Sequence, residues 1–156
     1  MRLYIAMVAL ITGTAAGACA SKGDAVGATT GQTEPQAEMA PQDLEQLMQK
    51  IGPTYSSLRK DLLAGDTATA GKQAQQIAEL FGGVEKFWTQ YKRPDAVKWA
   101  GQARTYASEA AGSAVAGDPA KASAAAENMG SACKQCHGTY RESDGQGGYR
   151  IKPGVL

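Results

Sequence analysis

Three short interruptions, AGD at 64–66, KRPD at 92–95 and AGDP at 116–119, cut the stretch from Pro41 to Ser143 into four segments of similar length. Within each segment the apolar residues return at steps of three and four, the period of a helix with one buried face. The first, 41–64, carries Leu44, Leu47, Met48, Ile51, Tyr55, Leu58 and Leu62 on one side. Gly52-Pro53 is expected to kink or break it. The second, about 67–91, presents Ala70, Ala74, Ile77, Leu80, Phe81, Val84, Trp88 and Tyr91, with Gly82-Gly83 weakening the pattern in its second half. The third starts near Pro94 and shows Val97, Ala100, Ala103, Ala107, Ala110 and Ala114, with Trp99 and Tyr106 to one side. The fourth, 119–143, shows Ala122, Ala125, Ala126, Met129, Ala132, Cys133, Cys136, His137 and Tyr140.

The interruptions have helix-end chemistry. Asp66 and Asp118 can cap the helices that follow them, Gly117 ends one, and Pro94 and Pro119 suit first helical positions. Four helices of about 20–25 residues with short connections predict an all-α fold, an antiparallel up-down-up-down four-helix bundle. The Ala-rich faces of the third and fourth segments give little hydrophobic stabilisation per residue. Such a core is expected to enclose a large apolar object.

The flanks differ in kind. Arg2 followed by LYIAMVALITGTAAGA reads as a secretory signal over 1–20, too short for a comfortable membrane span. Cleavage after Ala20 at an A-x-A site, and a lipobox that leaves Cys19 as a lipidated N-terminus, both stay open. Under either, the mature chain is expected outside a bacterial cytoplasm, in the periplasm or tethered to a membrane through Cys19. Residues 21–40 have linker composition, and 144–156 form a Gly-rich tail whose docking through Tyr149 and Ile151 stays open. A chain of 156 residues suits one domain, and 16 basic against 15 acidic side chains leave no basic stripe for nucleic acid.

Residues 133–137 read CKQCH and hold two of the three cysteines and the one histidine of the chain. A redox dithiol of this spacing belongs at the start of a helix in a βαβ setting, which a strandless chain does not provide. A zinc site lacks a fourth ligand. Covalent haem attachment uses all three residues: each thiol adds to one vinyl group, and the imidazole ligates the iron. Positions three and four apart on a helix project to one side, which suits that chemistry. An exported chain also meets the compartment where the attachment takes place. The expected cofactor is one covalently bound haem c.

The motif lies near the C-terminus of a predicted four-helix chain and continues as CKQCHGTYR. In this it resembles the cytochrome c′ family, whose last helix carries C-x-x-C-H-x-x-Y-R. The resemblance covers roughly 41–143. It implies Cys133 and Cys136 as thioether sites, His137 as the proximal iron ligand, and Arg141 near the haem edge as a candidate propionate contact. The family divides by the group opposite the histidine. An apolar residue there leaves five-coordinate iron that binds nitric oxide or carbon monoxide, whereas a methionine early in the first helix makes an electron carrier. The carriers resemble L-M-x-x-x-G, matched here by Leu47, Met48 and Gly52.

Helix geometry selects the same methionine. Met48 lies about 10 Å from the start of the first predicted helix, and His137 about 9 Å from the end of the last. In an antiparallel pair they share a height. Met1 and Met7 leave with the signal, Met39 sits in the linker, and Met129 is on the histidine's own helix. Met48 as a plain core residue is the competing assignment. The expectation is therefore an exported monohaem carrier of single electrons, not an enzyme, with redox proteins as partners and a homodimer left open. Gas binding at five-coordinate iron is the alternative, and a tethered subunit serving a larger complex is a third.

Overall fold

Four helices make up most of residues 38–156, the part of the chain that this computed structural model describes: α1 (Pro41–Ala64), α2 (Thr67–Gln90), α3 (Pro94–Val115) and α4 (Pro119–Tyr140). Two short strands follow, β1 (Arg141–Ser143) and β2 (Tyr149–Ile151). The signal at 1–20, Cys19 and most of the expected linker lie outside the described residues.

The helix ends follow from the punctuation. The Asp66 side chain accepts from the Thr69 N–H at 3.0 Å and that of Asp118 from the Lys121 N–H at 2.9 Å, so each cap satisfies a free first-turn donor. Gly65 turns the chain out of α1 at φ 77° and Gly117 does so after α3 at φ 74°, in the left-handed region that glycine enters without strain.

Neither expected weak point breaks its helix. α1 runs unbroken through Gly52-Pro53. Both residues are exposed, so water can take the carbonyl that Pro53 leaves without an N–H partner. Gly82-Gly83 does not disturb α2 either. Gly83 is a notch: a Cβ there would stand 3.0 Å from Leu47 Cδ1, so the missing side chain lets α1 close on α2.

Two boundaries move. The fourth helix was expected to reach 143 and stops at Tyr140, where Arg141 turns extended at φ −110° and ψ 142°. β1 then pairs antiparallel with β2, Arg141 opposite Ile151 and Ser143 opposite Tyr149. Asp144 makes the turn by accepting from the N–H groups of Gln146 at 2.7 Å and Gly148 at 2.9 Å. The expected linker also ends earlier than residue 40. The Met39 N–H donates to Gln90 Oε1 at 2.7 Å, and its carbonyl accepts from Gln90 Nε2 at 2.9 Å and the Tyr91 hydroxyl at 3.2 Å.

Consecutive helices pack against one another, α2–α3 and α3–α4 most closely, whereas the contact between α1 and α4 is sparse. The fully buried large side chains are Trp88, Phe87, Leu58, Ile77, Met129 and Val84. Ala107, Ala110 and Ala114 of α3 and Ala122 and Ala126 of α4 are all buried, and side chains this small let three backbones approach closely. No helix among the described residues is long and apolar enough to cross a membrane.

Candidate functional site

The weak seam between α1 and α4 is fastened at one place. Tyr55 of α1 donates its hydroxyl to the Ala126 carbonyl of α4 at 3.1 Å. Its ring tip lies where Gly130 has no side chain, and a Cβ there would collide with the hydroxyl. Seven residues back from Tyr55 on α1 is Met48, and seven on from Gly130 on α4 is His137. Seven residues are close to two helical turns, so each pair of positions lies on one face.

Above this fastening the seam opens into two cavities. The inner one, about 320 Å³, is walled by Ile51, Tyr55, Phe81, Val84, Ala100, Ala103, Met129 and Cys133 among others. The outer one, about 580 Å³, is walled by Pro41, Leu44, Trp88 and Tyr140, and by the hairpin residues Tyr149, Arg150 and Ile151. Met48, Cys136, His137 and Arg141 line both. The structure therefore brings every sequence-predicted site residue of the described chain to one seam. Cys133 faces the inner cavity alone.

Burial sets the chemistry of the three motif residues. It pushes the Cys133 thiol up to about 11. Cys136 is pushed up to about 12, by burial first and then by the neighbouring Cys133 and Asp95. Both are free thiols held protonated, the opposite of the lowered thiolates of a redox dithiol. His137 is held below its ordinary value by burial and then by the Arg141 charge, which favours the neutral imidazole that ligates metals. Among the described residues no three His, Cys, Asp or Glu side chains converge as a bare metal ion would need. The two thiols and the imidazole lie along a wall instead.

A tyrosine the sequence placed only on a core face turns out to anchor the end of that wall. Tyr140 donates its hydroxyl to Asp95 Oδ1 at 2.5 Å, and Asp95 stands in the first turn of α3. The ring lies 4.8 Å from Trp88 and 6.3 Å from Trp99, centroid to centroid. Burial and the bond to Asp95 together push the Tyr140 hydroxyl up to about 12. The last turn of α4 is thus tied to the start of α3. The Trp88 indole N–H, buried beside the outer cavity, has no hydrogen-bond partner among the described residues.

Arg141 stacks over the Tyr149 ring at 3.8 Å from its centroid and has no carboxylate partner among the described residues. Sequence reasoning left out Asp95, and it left the docking of Tyr149 and Ile151 open. Pairings across 45 residues, as for Tyr140 with Asp95, leave no local signal. No known protein family matches this chain, and no curated protein or solved structure matches it either.

Proposed function

We propose that this chain is an exported monohaem c-type cytochrome that carries single electrons. Its fold on this reading is the cytochrome c′-like antiparallel up-down-up-down bundle, with the haem in the α1–α4 seam near the end of α4. One observation carries the proposal: Met48, Cys136 and His137 wall the same two cavities, at the sparsely packed α1–α4 seam.

The residues fit the group. Two free thiols stand three apart on one helix with an imidazole beside them, and the space they face is lined by Ile51, Phe81, Val84, Ala100 and Ala103. Cys133 and Cys136 would hold haem c through thioethers, His137 and Met48 would ligate its iron, and Arg141 would offer a cation to a propionate. The bound group supplies a one-electron iron couple. The chain supplies the rest. Its apolar lining excludes water, its neutral imidazole donates a lone pair, and the continuous α1 keeps the Met48 thioether on the seam. Redox proteins are the partners, the periplasm is the compartment, and Cys19 is the candidate lipid anchor.

Production with a haem-attachment system, followed by haem staining of the denatured chain, tests the attachment. Stain is expected on the wild type and is abolished in Cys133→Ala/Cys136→Ala; an unstained wild type refutes the reading. The sixth ligand is tested on the same material. Wild-type ferric protein is expected to be low-spin and its ferrous form slow to bind carbon monoxide, whereas Met48→Ala becomes high-spin and binds it rapidly. A high-spin wild type that binds carbon monoxide at once replaces electron transfer with gas binding as the function.

A further inference from the structure

The cavity at the α1–α4 seam is not walled by helices alone. Gly148, Tyr149, Arg150, Ile151 and Leu156, all beyond the last helix, form one side of the outer cavity. Polar contacts to the ends of α3 and α4 hold that segment in place. The Lys152 ammonium donates to the Gly138 carbonyl at 2.9 Å and the Thr139 carbonyl at 2.8 Å, two of the carbonyls that the end of α4 leaves without helical partners. The Lys152 N–H donates to the Tyr140 carbonyl at 2.9 Å. Arg93, the residue just before α3, donates its Nε at 2.8 Å and also its Nη2 to the Val155 carbonyl. Ile151 and Val155 pack against the core beneath.

We propose that the C-terminal hairpin is a latched cover over the open side of the His137–Met48 seam, with Lys152 and Arg93 as the latches. What it covers is the haem of the preceding section, and the inference rests on that reading for the identity of the group. The cover itself rests on the geometry. Lys152 grips the same turn of α4 that presents His137, so the hairpin cannot swing away without freeing carbonyls at that turn. The charge–carbonyl contacts of Lys152 and Arg93 and a short two-stranded ladder are a weak hold compared with the helix interfaces, and a two-stranded hairpin is marginal alone. The hairpin is therefore the element that opens first, by a local rather than a global transition. Its opening controls how water and small ligands reach the group in the seam.

The experiment uses the haem-loaded full chain and Lys152→Ala/Arg93→Ala, with Ile151→Asp as a second way to lift the strand. Circular dichroism checks that the helices persist. Hydrogen exchange over 138–156 is expected to rise about tenfold in the unlatched variants, while α2 and α3 stay unchanged. With Met48→Ala added to both chains, so that the ligand proposed opposite His137 is removed, imidazole binding to the ferric iron is expected to speed up on unlatching by about fivefold or more, in proportion to the opening. Faster exchange with an unchanged imidazole rate would show that the hairpin covers something else, and exchange in the wild type as fast as in an unstructured peptide would show that it is not latched. Either result overturns the proposal. If no haem attaches, the haem-free chain still decides: unlatching should speed iodoacetamide modification of Cys136, which lines the outer cavity, relative to Cys133, which does not. Equal acceleration of both thiols, or of neither, overturns the cover whatever the cofactor.

Discussion

Gly130→Ala tests the register on which the seam depends. In a helix interior, alanine in place of glycine ordinarily stabilises by about 1 kcal/mol. Here the added methyl would collide with the Tyr55 hydroxyl and stand 3.3 Å from its Cζ. To relieve that, Tyr55 has to swing away and give up its bond to the Ala126 carbonyl, about 1 kcal/mol for a half-buried hydrogen bond. Forcing a methyl into the occupied space costs a further ~1–3 kcal/mol. The balance is a net loss of about 1–3 kcal/mol, so the sign of the usual glycine-to-alanine effect reverses. Urea unfolding followed by circular dichroism should show a midpoint lower by about 1 M with an unchanged slope. In a Tyr55→Leu background the collision disappears, and Gly130→Ala should become neutral or stabilising, a coupling that only contacting residues produce. A single Gly130→Ala variant more stable than the wild type would refute the reasoning. It would mean that Tyr55 does not stand over Gly130, and that the facing of Met48 and His137 two turns further on has lost its support.

Tyr140 should ionise late: its hydroxyl, pushed up to about 12 by burial and the Asp95 bond, adds stability that is full below about pH 10 and is lost as pH rises toward 12. An ultraviolet titration of the folded chain should show that late step, and Tyr140→Phe should remove it. At the acid end Asp66, Asp95 and Asp144 are held low, foremost by the Thr69 N–H, the Tyr140 hydroxyl and the Gln146 N–H respectively. Carboxyls with a lower folded than unfolded value add stability above about pH 4 and lose it as pH falls further, so urea midpoints measured from pH 6 to pH 2 should drop only below that point, and less in Asp66→Asn/Asp144→Asn.

The four helices were legible because their signals are local. Asp66, Asp118, Pro94 and the positive-φ glycines act within a turn of where they stand, and the apolar faces repeat at a period the chain carries openly. The errors have a common cause. Gly82-Gly83 and Gly52-Pro53 looked like breaks because propensity is a statement about an isolated helix. In the fold Gly83 receives Leu47, and the buried Ile51 and Leu58 hold α1 on either side of Pro53, so packing overrides the propensity. The extension of α4 to 143 failed for a nonlocal reason. Arg141 leaves the helix to pair with Ile151, and Lys152 returns to cap the carbonyls that the helix leaves behind. Nothing near Arg141 announces a partner ten residues further on.

The alanine faces carry a different lesson. Read alone, they suggested a core waiting for a large apolar group throughout. In the fold most of those alanines serve the close α2–α3–α4 contacts, where small side chains let backbones approach, and only Ala100, Ala103 and Ala132 face the inner cavity. An alanine face is therefore no cofactor signal by itself. The cavity comes from the way α1 is held. Leu47 lies in the Gly83 notch of α2, and Tyr55 alone fastens α1 to α4 below the motif. Above Tyr55 no comparable contact draws α1 against α4, and the space left is walled by Met48 on one side and by Cys133, Cys136 and His137 on the other. The sequence shows which residues could hold a haem. That they share one open seam follows from a tyrosine and two glycines whose positions, read singly, suggest nothing about a site.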